Sequence, residues 1–156
     1  MPKARRDRSE SKCVRPQHPV LAWHDYVDET DEKVVELADW ISSLRPFAQL
    51  EVVARLDELE ERAAAGLIQI PQDGAPADLD AIQADPEVYE LRWTVLNKKV
   101  RQYHGEPDGM PHALVRLHRH IKVQSGRNDP TAGARQQVEI MKAVDRYKHG
   151  ESSGWA

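Results

Sequence analysis

The sequence predicts an α+β domain: an antiparallel sheet with a mixed edge, an N-terminal helical hairpin on one face, and a C-terminal helix. Two helical periodicities between residues 30 and 65, three strand-like runs between residues 86 and 124, and a closing helical periodicity predict this arrangement. A chain of 156 residues with 40% apolar content supports one domain. We expect a disordered basic arm over residues 1–18, a folded domain over 19–149 and a frayed tail over 150–156.

Composition limits the classes of protein to consider. The sequence has no apolar run long enough to cross a bilayer and no secretory signal, so we expect a cytoplasmic protein without a membrane partner. Cys13 is the single cysteine and stands in a polar segment. This predicts neither an internal disulfide nor a cysteine metal cluster.

The formal net charge of -4 conceals a segregation of charge along the chain. Residues 1–18 carry six Lys+Arg against two Asp+Glu, residues 25–65 carry four against twelve, and residues 86–123 carry seven against four. Local field rather than total charge attracts polyanions. The acidic part is predicted to be helical, and the basic part to be the sheet.

The N-terminal half predicts an arm, a strand and two helices. Met1 to Gln17 is polar and basic, which predicts a mobile arm, and His18 to Val27 predicts a short strand buried on both sides. Thr30 to Leu44 has apolar residues at helical spacing, with Thr30 as the expected N-cap. Pro46 to Ala65 repeats that spacing and ends at Gly66, so the two helices should form a hairpin that packs on a sheet.

The connection and the last helix follow from composition and spacing. Pro71 to Pro86 holds three Pro and four Asp without Lys or Arg, which is typical of a loop. After the turn-like Gly126 and Asn128-Asp129-Pro130, one apolar stripe predicts a helix to about His149. The stripe consists of Ala134, Val138, Met141 and Val144.

The three strand-like runs between Pro86 and Gln124 predict an antiparallel meander. Val88 to Val95 alternates apolar and polar residues, Asn97 and Lys98 suit a turn, and Lys99 to His104 continues the sheet. A loop over 105–111 leads to the third run, which ends near Ile121. In that run the parity of Arg116, His118 and His120 is opposite to that of the apolar residues, so it predicts an exposed cationic face.

This basic face is open to several interpretations. Clustered Arg, Lys and His can neutralise phosphate, but a cationic strand face is also a common solvated surface. Tyr103 shares a parity with Lys99 and Arg101 and can stack on a base or serve in the core. His118-x-His120 is compatible with acid–base chemistry, with surface histidines or, less well given the neighbouring arginines, with a metal.

Several short motifs in this order resemble the RelE superfamily of ribonuclease toxins, in particular its HigB-like, phage-derived branch. Ser43-Leu44-Arg45-Pro46 is similar to the turn between that branch's two helices, and Val88-Tyr89-Glu90-Leu91-Arg92 is similar to its "YELR" strand. Val100-Arg101 resembles the start of its next strand, and Leu117-His118 with Lys122 resembles its Leu-His segment. The resemblance covers about residues 20 to 148 and implies a RelE-like fold.

The resemblance also implies a function. Family members are typically toxins of type II toxin–antitoxin systems that cut mRNA on the ribosome, without a metal or other cofactor, and are restrained by an antitoxin that is often a helix-turn-helix protein. The resemblance and the charge pattern together assign catalysis to Arg101, His118, His120 and Lys122, and RNA binding to Arg92, Lys98, Lys99, Tyr103, Arg116 and Arg119.

A second interpretation keeps the fold and removes the turnover. Where the family usually has Phe-x-Lys-Lys, this chain has His120-Ile121-Lys122-Val123 and therefore lacks one of the paired lysines. Because a fold does not fix a function, the chain can instead be a nucleic-acid-binding or antitoxin-binding module.

Overall fold

The computed structural model describes residues 7–123 and 131–156, without the side chain of Ala132. In these ranges the strands and α-helices are β1 (Ala22–Asp25), α1 (Glu32–Ser43), α2 (Pro46–Ala65), β2 (Leu79–Ala81), β3 (Val88–Val95), β4 (Lys98–Gly105), β5 (Ala113–Ile121) and α3 (Ala132–Ser153). The sheet order is β1-β5-β4-β3-β2. The β1 strand pairs parallel with β5, and the other neighbours are antiparallel. The predicted α+β class with a mixed sheet is confirmed.

The helical hairpin forms where the apolar spacing predicts it. Asp31 caps α1 by accepting a hydrogen bond from the Lys33 backbone N–H at 2.8 Å, so the expectation of Thr30 as the cap is wrong. Pro46 occupies the first turn of α2, and Gly66 ends it with a φ of 74°, a left-handed conformation that favours glycine. Both helices pack on one face of the sheet, over a core that includes Leu37, Val52 and Leu59.

The N-terminal segment docks on α2, which corrects the predicted mobile arm for residues 7–18. Two single-turn 3₁₀ helices, Arg8–Glu10 and Lys12–Val14, place the side chains of Ser11 and Cys13 out of contact with solvent. The backbone N–H of Ile68 donates to the carbonyl of Cys13 at 3.0 Å. These buried contacts offset the entropy of ordering, which composition alone did not reveal. Residues 1–6 of the predicted arm lie outside the described residues.

The meander has the predicted strands with small shifts. The turn between β3 and β4 consists of Leu96 and Asn97, both with positive φ as a two-residue hairpin requires, so the expected Asn97-Lys98 turn is one residue too late. The loop predicted over Pro71–Pro86 contains β2, which pairs with β3. Its three residues are too few to produce a periodic signal. The β1 strand has mostly exposed side chains because it lies at the sheet edge, so the expectation of burial on both sides is wrong.

The third helix covers the second face of the sheet, so helices lie on both faces. It packs through Glu139, Ala143, Val144 and Tyr147, whereas Val138 and Met141 of the predicted stripe are exposed. The stripe prediction is therefore wrong except at Val144. The predicted start of the helix at Gly126 and at residues 128–130 lies outside the described residues.

The C-terminal residues are held against α3, so the prediction of a frayed tail over 150–156 is wrong. The α3 helix continues to Ser153, and Gly154 ends it in a left-handed conformation. The Trp155 ring then contacts the rings of Tyr147 and Tyr26, with centroids 5.4 and 5.3 Å apart. Within the described ranges, none of the helices is both long enough and apolar enough to cross a membrane.

Candidate functional site

A β-bulge in β5 decides which side chains face α3. Tyr103 pairs with His118, but the next residue of β4, His104, pairs with Arg116, so Leu117 is an extra residue in β5. Because of this insertion, Leu117 and His118 both lie toward α3. The simple alternation that grouped Arg116 with His118 and His120 fails at this point.

The α3 face is covered rather than open, which corrects the predicted exposed basic face. The exposed fractions of the Tyr103, His118 and His120 residues are 0%, 2% and 3%, and that of Arg101 is 8%. The helix that covers them contributes Glu139 directly over His118. Any chemistry at these groups therefore takes place beside the N-terminal turns of α3.

Two arginines share one carboxylate at the centre of the site. Arg92 and Arg101 lie directly opposite each other on β3 and β4. Their Nε atoms lie 2.9 and 3.0 Å from the same Oε1 of Glu90, a buried residue. Arg92 also contacts Asp80 at 2.9 Å. Burial lowers the pKa of Arg101, and the charge of Glu90 opposes that shift.

Two lysines extend this positive charge to the surface. The backbone N–H of Lys122 donates to the carbonyl of Lys99 at 2.7 Å, which joins β5 to β4 at this end of the sheet. Burial lowers the pKa of Lys122, and the charges of Arg101 and Lys99 lower it further. We call Arg92, Lys99, Arg101 and Lys122 the basic end of the sheet. Its four cations face the two carboxylates of Glu90 and Asp80, which leaves excess positive charge.

A stack of three rings lies beside the basic end. The ring centroids of Tyr103 and His120 are 5.6 Å apart, and those of His118 and His120 are 5.8 Å apart. His120 Nδ1 lies 3.2 Å from the carbonyl oxygen of Ile121 and Nε2 lies 3.0 Å from the Tyr103 hydroxyl. A carbonyl only accepts, so Nδ1 carries the proton and Nε2 of the neutral ring accepts from Tyr103.

Burial sets the protonation of this stack. It lowers the pKa of His120 to about 4, with a further contribution from His118, so the ring is neutral near pH 7. Burial likewise raises the pKa of Tyr103 far above its usual range, so the hydroxyl stays protonated. With its ring buried against His118 and His120, Tyr103 is not placed to stack on a nucleotide base, contrary to expectation.

His118 belongs to an ion network between α1 and α3. Its Nε2 lies 2.9 Å from Glu139, and Lys142 lies 3.1 Å from both Glu139 and Asp31. Burial lowers the pKa of His118, and the hydrogen bond to Glu139 offsets part of that shift. Asp31, His118 and Glu139 have the types and spacing of metal ligands, but the Lys142 ammonium already contacts both carboxylates.

Three of the residues expected to bind RNA lie elsewhere. Arg116 contacts Glu60 of α2 at 2.6 Å, and Arg119 contacts Glu29 at 3.3 Å and lines a groove beside α1 and α2. Lys98 precedes the core residue Val100 by two positions and therefore lies on the same face as α1 and α2. The structure therefore brings together Arg92, Lys99, Arg101, His118, His120 and Lys122, but not these three.

Two clefts give access to the grouped residues. One of about 330 Å³ is lined by His120, Lys122 and Gln136, and another of about 520 Å³ by Glu90, Arg92 and Gln136. Gln136 of α3 is therefore common to both. The half-buried side chains of Arg92 and Lys122 and the buried ring of His120 thus border clefts at the start of α3.

No protein-family model, curated protein or solved structure matches this chain. The arguments for function therefore come from the geometry of the site and from the sequence motifs.

Sequence reasoning missed two acidic residues that organise the site. The sequence pattern assigned Glu90 only to a strand motif, although its carboxylate contacts both arginines. It assigned no role to Glu139, which contacts His118. One signal in the sequence was available: Glu90 and Arg92 are two positions apart in a predicted strand, so their side chains lie on the same face. No local pattern connects Glu139 with His118, because 21 positions separate them in sequence.

Proposed function

We propose that this chain is the toxin component of a type II toxin–antitoxin system and cleaves mRNA on the ribosome. The observation that carries the proposal is the convergence of Arg101, His120 and Lys122 beside Arg92 and Lys99 at one end of the sheet. A ribonuclease that uses the RNA's own 2′-hydroxyl requires cations for the phosphate and a group that accepts a proton. The basic end and His120 provide both.

The motif resemblance supports the same function. The resemblance rests on the order strand, helical hairpin, meander and C-terminal helix, which β1, α1, α2, β3–β5 and α3 follow, with β2 as an additional strand between α2 and β3. The proposal accordingly includes a cytoplasmic location, translating ribosomes as the target and a helix-turn-helix antitoxin as the partner.

The reaction assigns a role to each group. The 2′-oxygen of one nucleotide forms a bond to the adjacent phosphorus while the bond from phosphorus to the 5′-oxygen breaks. The 2′-hydroxyl replaces the Tyr103 hydroxyl as the hydrogen-bond donor to His120 Nε2, which then accepts its proton, and a proton from water reaches the departing 5′-oxygen. Arg101 and Lys122 stabilise the charge that builds on the phosphorane, and Arg92 and Lys99 hold neighbouring phosphates. Tyr103 is a positioning residue that orients the His120 ring until RNA binds. No step uses a metal.

The burial of the rings places a condition on this mechanism. Tyr103 and His120 lie beneath α3, and His120 borders the cleft that Lys122 and Gln136 also line. RNA reaches His120 when the first turns of α3 shift away from the cleft. The proposal therefore includes this movement.

The same burial favours a second candidate function, a nucleic-acid-binding or antitoxin-binding module without turnover. In that case the partly or fully exposed cations, Arg92, Lys99 and Lys122, bind phosphates, while the histidines only support the fold. In both candidate functions, His118 has the same structural role, which is to hold Glu139 through a hydrogen bond.

The test is induced expression of the chain in bacteria, followed by growth measurement and primer extension on reporter transcripts. We expect growth arrest and new transcript ends that disappear when translation of the reporter is blocked. Lys122→Gln should weaken both effects, and Lys98→Gln on the opposite face is the matched control that should not. Normal growth without new ends, at confirmed expression of folded protein, would favour the binding module.

A further inference from the structure

A second cluster of polar groups lies on the opposite face of the sheet, between the N-terminal segment and β4. It contains Cys13, His104 and Glu106, whose exposed fractions are 0%, 0% and 1%, together with the buried Ser11. It is separate from the basic end, because His104 belongs to the strand parity of Val100 and Gln102, which faces α1 and α2.

The donor atoms of this cluster converge on one point. Cys13 Sγ lies 3.6 Å from His104 Nε2 and 3.7 Å from Glu106 Oε2, and His104 Nε2 lies 2.9 Å from Glu106 Oε2. A tetrahedral zinc ion with ordinary bond lengths separates sulfur from nitrogen or oxygen by about 3.6 Å, and nitrogen from oxygen by about 3.4 Å. The two distances from sulfur match these values, and the distance from His104 Nε2 to Glu106 Oε2 would increase by about 0.5 Å on metal binding.

The rings around His104 hold it in this orientation. Tyr89 stacks on it with a centroid distance of 5.9 Å, and Trp23 meets it edge-on at 5.4 Å. All described hydrogen-bond contacts of its ring use Nε2, the nitrogen that faces the sulfur and the carboxylate, whereas Nδ1 has no hydrogen-bond partner in the described part of the chain. The ring is therefore aimed at the cluster and is rigid, as a metal ligand requires.

The charges also suit a divalent ion. A Cys13 thiolate beside the Glu106 carboxylate would place two negative charges in a buried site, so a thiolate here needs a cation. A divalent ion bound to one thiolate and one carboxylate gives a neutral buried group. Ser11 Oγ contacts the same carboxylate oxygen at 2.5 Å and is a further oxygen donor of the cluster.

We propose that Cys13, His104 and Glu106 form a structural binding site for a divalent zinc-like cation, which fastens the N-terminal segment to the sheet. Cys13 and Ser11 come from that segment, while His104 ends β4 and Glu106 follows it. A metal bound here would link two parts of the chain that are 91 positions apart and would contribute its binding free energy to folding.

The experiment refolds the full chain from guanidinium with Co²⁺ or Zn²⁺ after removal of metals by chelator. Bound Co²⁺ should give a sulfur-to-cobalt charge-transfer band at one equivalent. Zn²⁺ at about 100 times its dissociation constant should raise the melting temperature by about 5–10 °C. Cys13→Ser should abolish the band, and Glu106→Gln should weaken Co²⁺ binding at least tenfold.

The group of Asp31, His118 and Glu139 on the other face of the sheet supplies the control. Glu139→Gln alters the Asp31–His118–Glu139 group and should leave the cobalt band unchanged, because no sulfur lies there. If Cys13→Ser does not fold, the band and the zinc-dependent melting shift of the unaltered chain still decide the question. A wild-type protein that refolds fully with neither signal would overturn the proposal and leave a metal-free hydrogen-bonded cluster.

Discussion

The buried His120 predicts a specific loss of stability in acid. Its pKa is 6.5 in its ordinary state and about 4 in the folded protein, so between these values the unfolded chain binds more protons than the folded chain. Stability therefore increases with pH in this window, is fully present above about pH 6.5 and is lost as the pH falls toward 4. At pH 4.5 the unfolded imidazole is almost fully protonated and the folded one only about a quarter, which corresponds to a loss of roughly 2.5 kcal/mol relative to pH 7.

The perturbation that isolates this term is His120→Gln, which cannot titrate but keeps an acceptor for the Tyr103 hydroxyl. Urea unfolding at pH 7 and pH 4.5 should show that the wild-type protein loses roughly 2.5 kcal/mol more than the variant. Acidic groups such as Glu106 and Glu139, whose pKa values are also shifted, are present in both proteins and cancel in the comparison. His24→Gln, at an exposed imidazole of β1, should keep the wild-type dependence. Parallel curves for wild type and His120→Gln would refute the account of a buried neutral ring.

The remaining predictions concern packing and positioning. Gly105→Ala should cost about 1–3 kcal/mol in urea unfolding, because its Cβ would lie 2.6 Å from the Tyr147 ring, whereas Gly109→Ala, with open space around it, should cost little; equal costs would contradict this packing. Removal of residues 7–18 together with the preceding residues should lower stability by roughly 3 kcal/mol or more, because their burial covers the core; an unchanged thermal midpoint would restore the mobile arm. Tyr103→Phe should cost about 1 kcal/mol and reduce RNA cleavage, since the imidazole beside it loses its donor; full activity would remove its positioning role.

Much of the architecture could be predicted because it depends on local periodicity. The alternation over Val88–Val95 and the helical spacing in Pro46–Ala65 each give one continuous signal, and the structure confirms both elements with those bounds. Gly66 indicated the end of α2, because a helix commonly ends at a residue in the left-handed conformation, which glycine adopts most easily.

The unpredicted features depend on contacts between distant parts of the chain. The bulge at Leu117 changes the face of every following residue by one position, and no residue type in the strand signals it. Cys13 looked polar by its neighbours, although its burial depends on β4 and α2. The basic face is covered by α3, and the sequence did not predict which side of α3 faces the sheet. Glu139 is buried on that side and interrupts the apolar pattern that would have identified it.

Among the cations, strand parity predicted some positions correctly and others wrongly. Strand parity correctly grouped Lys99 with Arg101, and the pairing of β3 with β4 placed Arg92 beside them. The same parity argument failed for Arg116, because the bulge at Leu117 separates it from His118 and His120. The candidate site could therefore be predicted on β3 and β4 and only in part on β5.

The measurement that tests the central proposal most directly is single-turnover cleavage of mRNA on programmed ribosomes by excess purified protein. We expect cleavage by the wild-type chain, a loss of at least about a hundredfold in rate for His120→Ala, and a reduced cleavage rate for Lys122→Gln with no change for Lys98→Gln. Binding of the folded wild-type protein to ribosomes without any cleavage would contradict the ribonuclease account and support a binding module.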